Sequence, residues 1–254
     1  MVKLEDSLEK YSVVLLSAGR GKRIGKIGKK MPKCLIQIDK QTIISNLIKT
    51  LKLRGLKELN LVLGYKYKLI LKEIKKIKNL KVNYIVVKDF INTGSVYSLY
   101  TFKNLWLKKK KKKPILMFHT DIIFDVKFLD NILLSKKNNL IGVKKITKNK
   151  LKKNSFVAKI SKSMKILKIA KYKDCKTAYN EIICINKFSV SFFNKLLLFL
   201  NDYFKKFTNN ITWEYPLSDF ATTNNIHILK DQNFRWININ TISDLNKARR
   251  KKYE

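Results

Sequence analysis

Apolar and polar residues follow two different periodicities in the first half of the chain. Short, mainly apolar runs predict four strands, at residues 13–17, 58–63, 82–87 and 115–118. Apolar residues that recur three and four positions apart predict four helices, at residues 42–54, 66–78, 95–107 and 126–134. Strands and helices that alternate in this way build a mainly parallel sheet with helices on both faces. The pattern therefore predicts an α/β fold around a doubly wound sheet.

The pattern changes after residue 138. Short runs joined by polar turns over residues 139–185 predict a small set of antiparallel strands that cover a substrate pocket. The remaining predicted elements are helices at residues 188–207 and 213–223, a strand at 235–239 and a closing helix at 241–252. Asp244 lies in the first turn of the closing helix, where a negative charge favours the helix dipole. No repeat or linker divides the chain, so we expect one domain over residues 1–254.

The composition is that of a folded protein with an extreme charge. Of 254 residues, 45% are hydrophobic and 11% are aromatic, which is ample for a packed core. The 56 basic and 18 acidic residues give a net charge of +38, which attracts nucleotides, nucleic acids and anionic membrane surfaces. Most of the excess is lysine among abundant isoleucine and asparagine, a bias that an AT-rich genome also produces. Charge alone therefore does not identify the partner.

Six consecutive lysines at residues 108–113 lie between a predicted helix and a predicted strand. Such a run repels itself and is typical of a solvated loop. It contains no aromatic residues on which bases would stack, so we expect no specific nucleic-acid site there.

The cysteines and the hydropathy of the chain indicate the cellular compartment in which we expect the protein. Cys34, Cys175 and Cys184 form no CxxC pair, which favours a reducing cytoplasm over a disulfide or zinc framework. No secretory pattern is present at the N-terminus, and no apolar run approaches the roughly 18 residues of a membrane span. We therefore expect a soluble, cytoplasmic protein without a membrane span, in an oligomeric state that the sequence leaves open.

Glycine is concentrated directly after the first predicted strand. The chain has only 8 glycines, and four of them lie within ten positions, at Gly19, Gly21, Gly25 and Gly28. Flexible backbone beside Arg20 and other cations predicts a cradle for phosphate groups. Neither GxxxxGK[ST] nor GxGxxG occurs there, so the loop is neither a P-loop nor a dinucleotide fingerprint. A basic surface loop is the alternative.

The string AGRGKRIG at residues 18–25, followed by PKCL at residues 32–35, resembles the signature of a known enzyme family. These are the nucleotidyltransferases that activate sugar phosphates and phospho-alcohols with a nucleoside triphosphate (NTP). The order of segments is most similar to the phosphocholine and 2-aminoethylphosphonate cytidylyltransferases, with sugar-1-phosphate nucleotidyltransferases second. The resemblance implies a Rossmann-like fold with a nucleotide-binding half at about residues 11–135 and an acceptor-binding half at about 136–254.

The resemblance assigns roles around the nucleotide. It implies that Lys33 stabilises charge at the α-phosphate and that Arg23 and Arg20 lie near the β- and γ-phosphates. The backbone of the strand end and glycine loop would contribute to nucleotide binding at Leu16, Ala18, Gly19, Arg20 and Gly21.

The segment at residues 92–99 resembles the part of related enzymes near the base and sugar. Asn92 would read a base edge there, and Gly94 would permit close approach of the nucleotide. An ordinary turn with a helix cap explains the same residues.

The string FHTDIIFD at residues 118–125 looks like the metal-binding segment of the family. It implies that Asp121 binds Mg²⁺ beside the α-phosphate, a role that suits a hard oxygen ligand at the carboxyl edge of a parallel sheet. Asp125 is expected to cap the next helix, and His119 is interpreted as structural.

The chain departs from the family pattern at Asn238 and Asn240, where acidic residues are common. The resemblance makes Asn240 the second Mg²⁺ ligand, but an amide lacks the charge of a carboxylate. Metal affinity is then reduced, or Asp121 carries the ion together with the triphosphate, or catalysis has been lost. Asp244 is a possible substitute, although its place in a helix favours a first-turn role.

Acceptor recognition is expected from the second half of the chain. The candidate residues are Tyr179, Glu181, Trp213 and Glu214, beside Tyr215. Aromatic rings and carboxylates together would attract an amine or a quaternary ammonium group. Core aromatics with surface acids are the alternative.

These observations predict a Mg²⁺-dependent enzyme whose partners are an NTP and a small phosphorylated or phosphonate acceptor. CTP is the favoured donor, and phosphocholine and 2-aminoethylphosphonate are the favoured acceptors. A sugar-1-phosphate nucleotidyltransferase is the alternative within the family. A basic nucleic-acid-binding protein and a catalytically silent nucleotide sensor are the alternatives from other classes.

Overall fold

The computed structural model describes Leu4 and residues 7–147, 151–178, 180–230 and 234–250. In these ranges the strands β1 to β13 are, in chain order, Ser12–Ser17, Gln37–Ile38, Gln41–Thr42, Glu58–Leu63, Lys81–Val86, Ile115–His119, Ile122–Phe124, Leu140–Lys145, Phe156–Ile160, Ile166–Lys171, Asn180–Phe188, His227–Lys230 and Trp236–Asn238. The helices α1 to α9 are Lys26–Lys30, Ile43–Lys52, Tyr67–Ile74, Ser95–Thr101, Lys103–Leu107, Val126–Leu134, Val190–Lys206, Glu214–Ala221 and Ile242–Arg250.

A nine-stranded mixed sheet organises the described part of the chain. Strands β6, β1, β4 and β5 lie side by side and parallel, as the βα alternation predicted. Strand β11 pairs antiparallel with β6, and β8, β9 and β10 continue the same sheet in antiparallel pairings. Strand β12 adds to the edge of β8 in parallel. The predicted α/β fold with a doubly wound, mixed sheet is confirmed.

Strand β1 explains why the sheet is covered on both faces. All six of its residues are buried, as expected for a central parallel strand. Val14 and Leu16 pack into one apolar cluster with α4, α7 and α8, while Val13 and Leu15 pack into another with α2 and α6. Because successive side chains point to opposite faces, one apolar strand joins two core layers.

Several predicted elements are confirmed with nearly the same bounds. Helix α6 begins and ends as predicted, and the Asp125 carboxylate caps it by accepting from the Lys127 N–H at 2.9 Å. The predicted helical character of residues 95–107 is confirmed, but the segment forms two helices, α4 and α5, which the buried residue Phe102 separates. Phe188 belongs to β11 rather than to the long helix, because Ser189 caps α7 and so fixes where it begins.

Several short elements have no counterpart in the prediction, among them β2, β3 and β7, which have two or three residues each. Helix α1 has five residues and lies inside the glycine-rich segment, and β12 has four residues. Elements of this length have too few residues to show a periodicity. Among the described residues, no helix has both the length and the apolar character needed to cross a bilayer.

Candidate active site

A cleft of about 1130 Å³ opens at the carboxyl ends of β1 and β6. The glycine-rich segment and Lys33 line one end of it. Segments 144–147 and 152–156, with Glu181 and Glu214, line the other end. Open α/β sheets bind ligands at this edge. The two ends are called the loop end and the far end below.

Close packing of the glycines shapes the loop end. Gly21 has φ of 63°, a left-handed conformation that side chains other than glycine rarely adopt. A Cβ on Gly21 would lie 3.1 Å from the Cβ of Lys33, and one on Gly28 would lie 2.6 Å from the Gly21 oxygen. The loop therefore packs directly against the stem of the lysine that the sequence singled out.

Lys33 lies at the centre of a polar network. It begins a short 3₁₀ helix after Pro32, and its Nζ donates to Asp121 Oδ2 at 2.5 Å and to Asn240 Oδ1 at 3.1 Å. Arg23 Nη2 donates to the same Asn240 oxygen at 2.8 Å. The Lys33 and Asp121 side chains are only 15% and 18% exposed. The fold thus joins three segments that are far apart in the sequence.

Strand pairing explains why Asp121 lies beside Lys33. In the parallel register of β1 and β6, His119 lies opposite Leu16, so residues just beyond β6 meet the loop that follows β1. The Thr120 hydroxyl lies 3.0 Å from Ser17 Oγ and links the two strand ends. Burial alone would raise the pKa of Asp121, but the charge of Lys33, its hydrogen bond and smaller contributions together outweigh burial, and the pKa is lowered. The Asp121 carboxylate is therefore held in its charged form.

A second strand pair brings Asn238 and Asn240 close to Asp121. Strand β13 pairs antiparallel with β7, and the Ile239 N–H donates to the Asp121 carbonyl at 2.8 Å. Asn240 then lies against Lys33 and Arg23, and Asn238 lines the cleft.

The oxygens at this point can be tested for a fit to Mg²⁺. Asp121 Oδ1 and Asn238 Oδ1 are buried without a hydrogen-bond partner among the described residues. Asn240 Oδ1 is already an acceptor for Arg23 and Lys33. No group of three or more histidine, cysteine or acidic side chains that could hold a metal occurs in the described ranges. The residues therefore fit a magnesium ion only when substrate phosphates supply further ligands.

Most of the residues predicted to bind the nucleotide line the cleft, but not all do. Those that line it are Leu16, Ala18, Gly19, Gly21, Arg23, Lys33 and Gly94. The Arg20 guanidinium instead lies over the Tyr65 ring, 5.8 Å from its centroid. Asn92 is exposed, and its amide donates to Asp89 Oδ1 at 2.8 Å.

Packing within the protein itself explains why position 94 is a glycine. A Cβ there would lie 1.8 Å from the Ile211 oxygen, and the Gly94 N–H donates to the Asn209 carbonyl at 2.9 Å. Only glycine allows this approach to the segment before α8. The close contact of Gly94 is therefore made with the protein's own backbone.

Glu214 is a buried acid that lines the far end. It is 6% exposed, and burial raises its pKa to about 7. The nearby Thr212 hydroxyl and the indole N–H of Trp213 oppose this shift, but neither has a hydrogen-bond partner of ordinary geometry among the described residues, and neither does Glu214 Oε2. Glu214 Oε2 and Thr212 Oγ1, whose residues line the cleft, are therefore available to a ligand that reaches the far end.

Glu181 is the second acid at the far end. It lies in β11 opposite Lys144 of β8. Burial raises its pKa, while the nearby Ser155, Lys152 and Lys144 oppose the shift. Acidic and basic side chains therefore both line this end of the cleft.

The predicted aromatic partners do not all face the cleft. Trp213 is 1% exposed and packs in the core, where its ring lies 6.0 Å from that of His119. Tyr215 packs edge-on against Phe156 at 5.3 Å. Tyr179 lies outside the described residues.

His119 is a cleft residue that the sequence prediction treated as structural. It lines the cleft, and its Nε2 is buried without a partner among the described residues. Burial lowers its pKa, so the ring is neutral near physiological pH. Its position two residues before Asp121, at the end of β6, is the sequence feature that could have identified it as a cleft residue.

Lys152 is a cleft residue that was not predicted as part of the site. It forms an ion pair with Asp244, the acid in the first turn of α9. Asp244 accepts from the N–H groups of Asn240 and Thr241 at 3.1 Å and 3.0 Å. Its other oxygen accepts from Lys152 Nζ at 2.7 Å. The predicted first-turn role of Asp244 is confirmed.

Comparison with known proteins gives one family match and one curated relative. Residues 12–170 match the sequence profile of a family described as nucleotidyl transferase. Over 140 residues the chain is 27% identical to the CTP:phosphoglutamine cytidylyltransferase of Campylobacter jejuni. That match spans 53% of this chain and 53% of the relative, so it covers about half of each.

Solved structures with similar folds cover nearly the whole chain. The inositol-1-phosphate CTP transferase from T. maritima has a TM-score of 0.77 at 15% identity, covering 96% of this chain and 97% of that one. The CTP:phosphocholine cytidylyltransferase from Streptococcus pneumoniae has a TM-score of 0.73 at 14% identity, covering 94% and 98%. A UDP-glucose pyrophosphorylase complexed with UDP-glucose has a TM-score of 0.72 at 14% identity, covering 94% and 97%. At these identities the likeness establishes the fold.

Proposed function

The chain belongs to the nucleotidyl transferase family, and on that premise we propose that it transfers a nucleoside monophosphate from an NTP to a small phosphorylated or phosphonate acceptor. An oxygen of the acceptor phosphate attacks the α-phosphorus of the NTP. The bond from that phosphorus to the bridging oxygen of the β-phosphate breaks, and pyrophosphate leaves.

One observation carries this proposal: Lys33 Nζ is held 2.5 Å from Asp121 at the edge of a parallel sheet, beside a glycine loop. In transfer between two anions, catalysis consists mainly of alignment and charge neutralisation. Lys33 supplies charge beside the α-phosphate, and Arg23 supplies it beside the departing pyrophosphate. Both side chains donate to Asn240 Oδ1, which keeps them side by side.

Magnesium is the cofactor that we propose, with Asp121 as its protein ligand. The unpartnered Asp121 Oδ1 and the substrate phosphates would hold the ion, which would supply further positive charge to the α-phosphate. The neutral oxygens of Asn238 and Asn240 would add dipoles but no charge.

CTP is the donor that we favour. The curated relative is named as a CTP-dependent cytidylyltransferase, and two of the similar structures are named as CTP-dependent enzymes. Thr93, Ser95 and Ser98 also line the cleft. The Thr93 hydroxyl already donates to the Asp89 carbonyl at 2.6 Å, and Ser95 Oγ accepts from the Trp213 backbone N–H at 3.0 Å, so Ser98 is the hydroxyl of the three that we favour for contact with a base or ribose. The exposed Asn92 contacts Asp89 and is a weaker candidate for reading the base.

The far end favours an acceptor that carries N–H or O–H groups. The unpartnered buried oxygen of Glu214 is a hydrogen-bond acceptor, and Glu181 is a second carboxylate nearby. The Trp213 ring is enclosed in the core, so it provides no open face for a quaternary ammonium group. Among the acceptors considered, 2-aminoethylphosphonate and phosphoglutamine therefore fit better than phosphocholine.

A sugar-1-phosphate is the second candidate acceptor, because sugar hydroxyls would also satisfy the unpartnered oxygens at this wall. The alternative of a silent nucleotide sensor is motivated by the two asparagines beside Asp121. It predicts that an NTP binds without any product being formed.

One assay tests these proposals together. Pyrophosphate release is measured with CTP, UTP, ATP and GTP, each with 2-aminoethylphosphonate, phosphoglutamine, phosphocholine and glucose 1-phosphate, with and without Mg²⁺. We expect the fastest release with CTP and an acceptor that has N–H groups, and only with Mg²⁺. NTP binding without release in any combination would favour the sensor, and tight, salt-sensitive binding to arbitrary DNA without release would favour the nucleic-acid alternative.

A further inference from the structure

Residues 151–155 form a loop before β9 at the far end of the cleft. Lys152 lies in this loop, and residues 152–156 line the cleft. The Lys152 side chain is 62% exposed, yet its Nζ lies 2.7 Å from Asp244 Oδ1, which is only 6% exposed. A flexible surface lysine is therefore anchored on a buried acid from α9.

The two oxygens of Asp244 contact different parts of the site. Oδ1 accepts from Lys152, while Oδ2 accepts from the backbone N–H of Asn240 and the N–H and hydroxyl of Thr241. Asn240 in turn accepts from Lys33 and Arg23. One carboxylate therefore links the far-end loop to the turn that supports both cations of the loop end.

We infer that Asp244 and Lys152 form a positioning pair that couples the shape of the far-end loop to the placement of Asn240. This inference rests on the proposed function, since its main readout is the KM for the acceptor. With the pair intact the loop is held in one conformation before the acceptor arrives, so less ordering is required on binding. With the pair broken the loop must be ordered by the acceptor itself.

Three variants separate the two contacts of Asp244. Lys152→Met removes the ion pair alone. Asp244→Asn removes the same ion pair but keeps an oxygen that can accept from the turn. Asp244→Ala removes both contacts. Lys159→Met is the matched control, because this exposed lysine of β9 lies away from the cleft and its loss changes the net charge equally.

The variants should differ in their effects on kcat and on the KM for the acceptor. Lys152→Met and Asp244→Asn should each raise the acceptor KM about three- to tenfold with little change in kcat, and the double variant should not exceed either single one. Asp244→Ala should in addition lower kcat about tenfold, because Asn240 is no longer held against Lys33. Lys159→Met should change neither constant. Independent effects that multiply in the double variant, or an unchanged KM in Lys152→Met, would overturn the inference.

A second readout needs no turnover. The Ser155 N–H donates to the Lys152 carbonyl at 2.9 Å, so its hydrogen exchange reports the order of the loop. Asp244→Asn, a change made in α9, should speed this exchange about threefold, since the loop loses its anchor. Unchanged exchange at Ser155 would refute the pair even if the wild-type protein formed no product, whereas absent product alone would count only against the proposed function.

Discussion

At the loop end of the cleft the cations Lys33 and Arg23 are held by hydrogen bonds to side-chain oxygens, whereas at the far end the buried acid Glu214 forms no ion pair with a described residue. Lys33 and Arg23 both donate to Asn240, and Lys33 also donates to Asp121. At the far end, Glu214 Oε2 and Thr212 Oγ1 are buried without a partner among the described residues. The loop end also has two such oxygens, Asp121 Oδ1 and Asn238 Oδ1.

This difference indicates that the two ends of the cleft have different functions. A paired network keeps its geometry without a ligand, which suits charge neutralisation on a phosphate chain common to all NTPs. Unpartnered buried groups cost free energy until a ligand with matching groups satisfies them, which suits selection of one acceptor. We therefore expect substitutions at the loop end to change turnover, and substitutions at the far end to change stability and acceptor choice.

The largest effect is expected from Lys33→Ala. Loss of this ammonium group should lower turnover at least about a hundredfold while the fold is retained, since a donor to the transition state is removed. Pyrophosphate release and circular dichroism measure the two quantities. Lys30→Ala, at an exposed lysine of α1, is the control and should turn over at the wild-type rate. A wild-type rate of turnover in Lys33→Ala would show that Lys33 does not have the catalytic role.

The second prediction concerns Glu214→Gln at the far end. The pKa of Glu214 is raised from 4.5 to about 7 in the folded protein, so folding binds a proton there. The stability of the wild type therefore falls as pH rises from 4.5 towards about 7 and then stays low, while glutamine carries no such cost. The variant should be more stable by up to about 2 kcal/mol at about pH 8.5, with little difference near about pH 4.

Urea denaturation at the two pH values measures this change. Glu9→Gln is the control, because Glu9 is an exposed acid paired with Lys57, which lowers its pKa. It should show no stabilisation at alkaline pH. An equal effect of Glu214→Gln at both pH values would show that the acid is not destabilised by its burial.

A smaller effect is expected when the shape of the loop end is altered without loss of charge. Gly21→Ala places a side chain at φ of 63°, against the stem of Lys33, and should lower turnover about tenfold. Gly55→Ala is the matched control, since φ there is 81° and the residue lies after α2, outside the cleft. Both variants should lose stability, but only Gly21→Ala should lose activity. Equal activities would show that the loop does not position Lys33.

The smallest effect is expected at Asn240. If position 240 contacts the metal, Asn240→Asp should lower the Mg²⁺ concentration for half-maximal rate about three- to tenfold, because a carboxylate adds charge. A Mg²⁺ titration of pyrophosphate release measures this shift. Asn238→Asp is the comparison, since Asn238 Oδ1 is the unpartnered oxygen of the two. A titration unchanged by Asn240→Asp would place the metal away from position 240.

Local sequence patterns predicted most of the fold. The apolar run of β1 and the helical stripe of α6 each follow from residues within one element, and both were predicted closely. The division at Phe102 was missed, because it depends on where a buried ring fits between elements. The loop-end candidates were found because the glycine loop and Lys33 are close in sequence.

The sequence by itself determined the α/β alternation, the position of the glycine loop and the acid that follows β6, since each of these features depends only on residues that are neighbours in the chain. Only the tertiary structure decided that Arg20 turns towards Tyr65, that Trp213 is enclosed, and that Lys152 reaches Asp244. The physical reason is that such contacts join segments tens to hundreds of residues apart. Their geometry is set by strand register and core packing, which no local pattern contains.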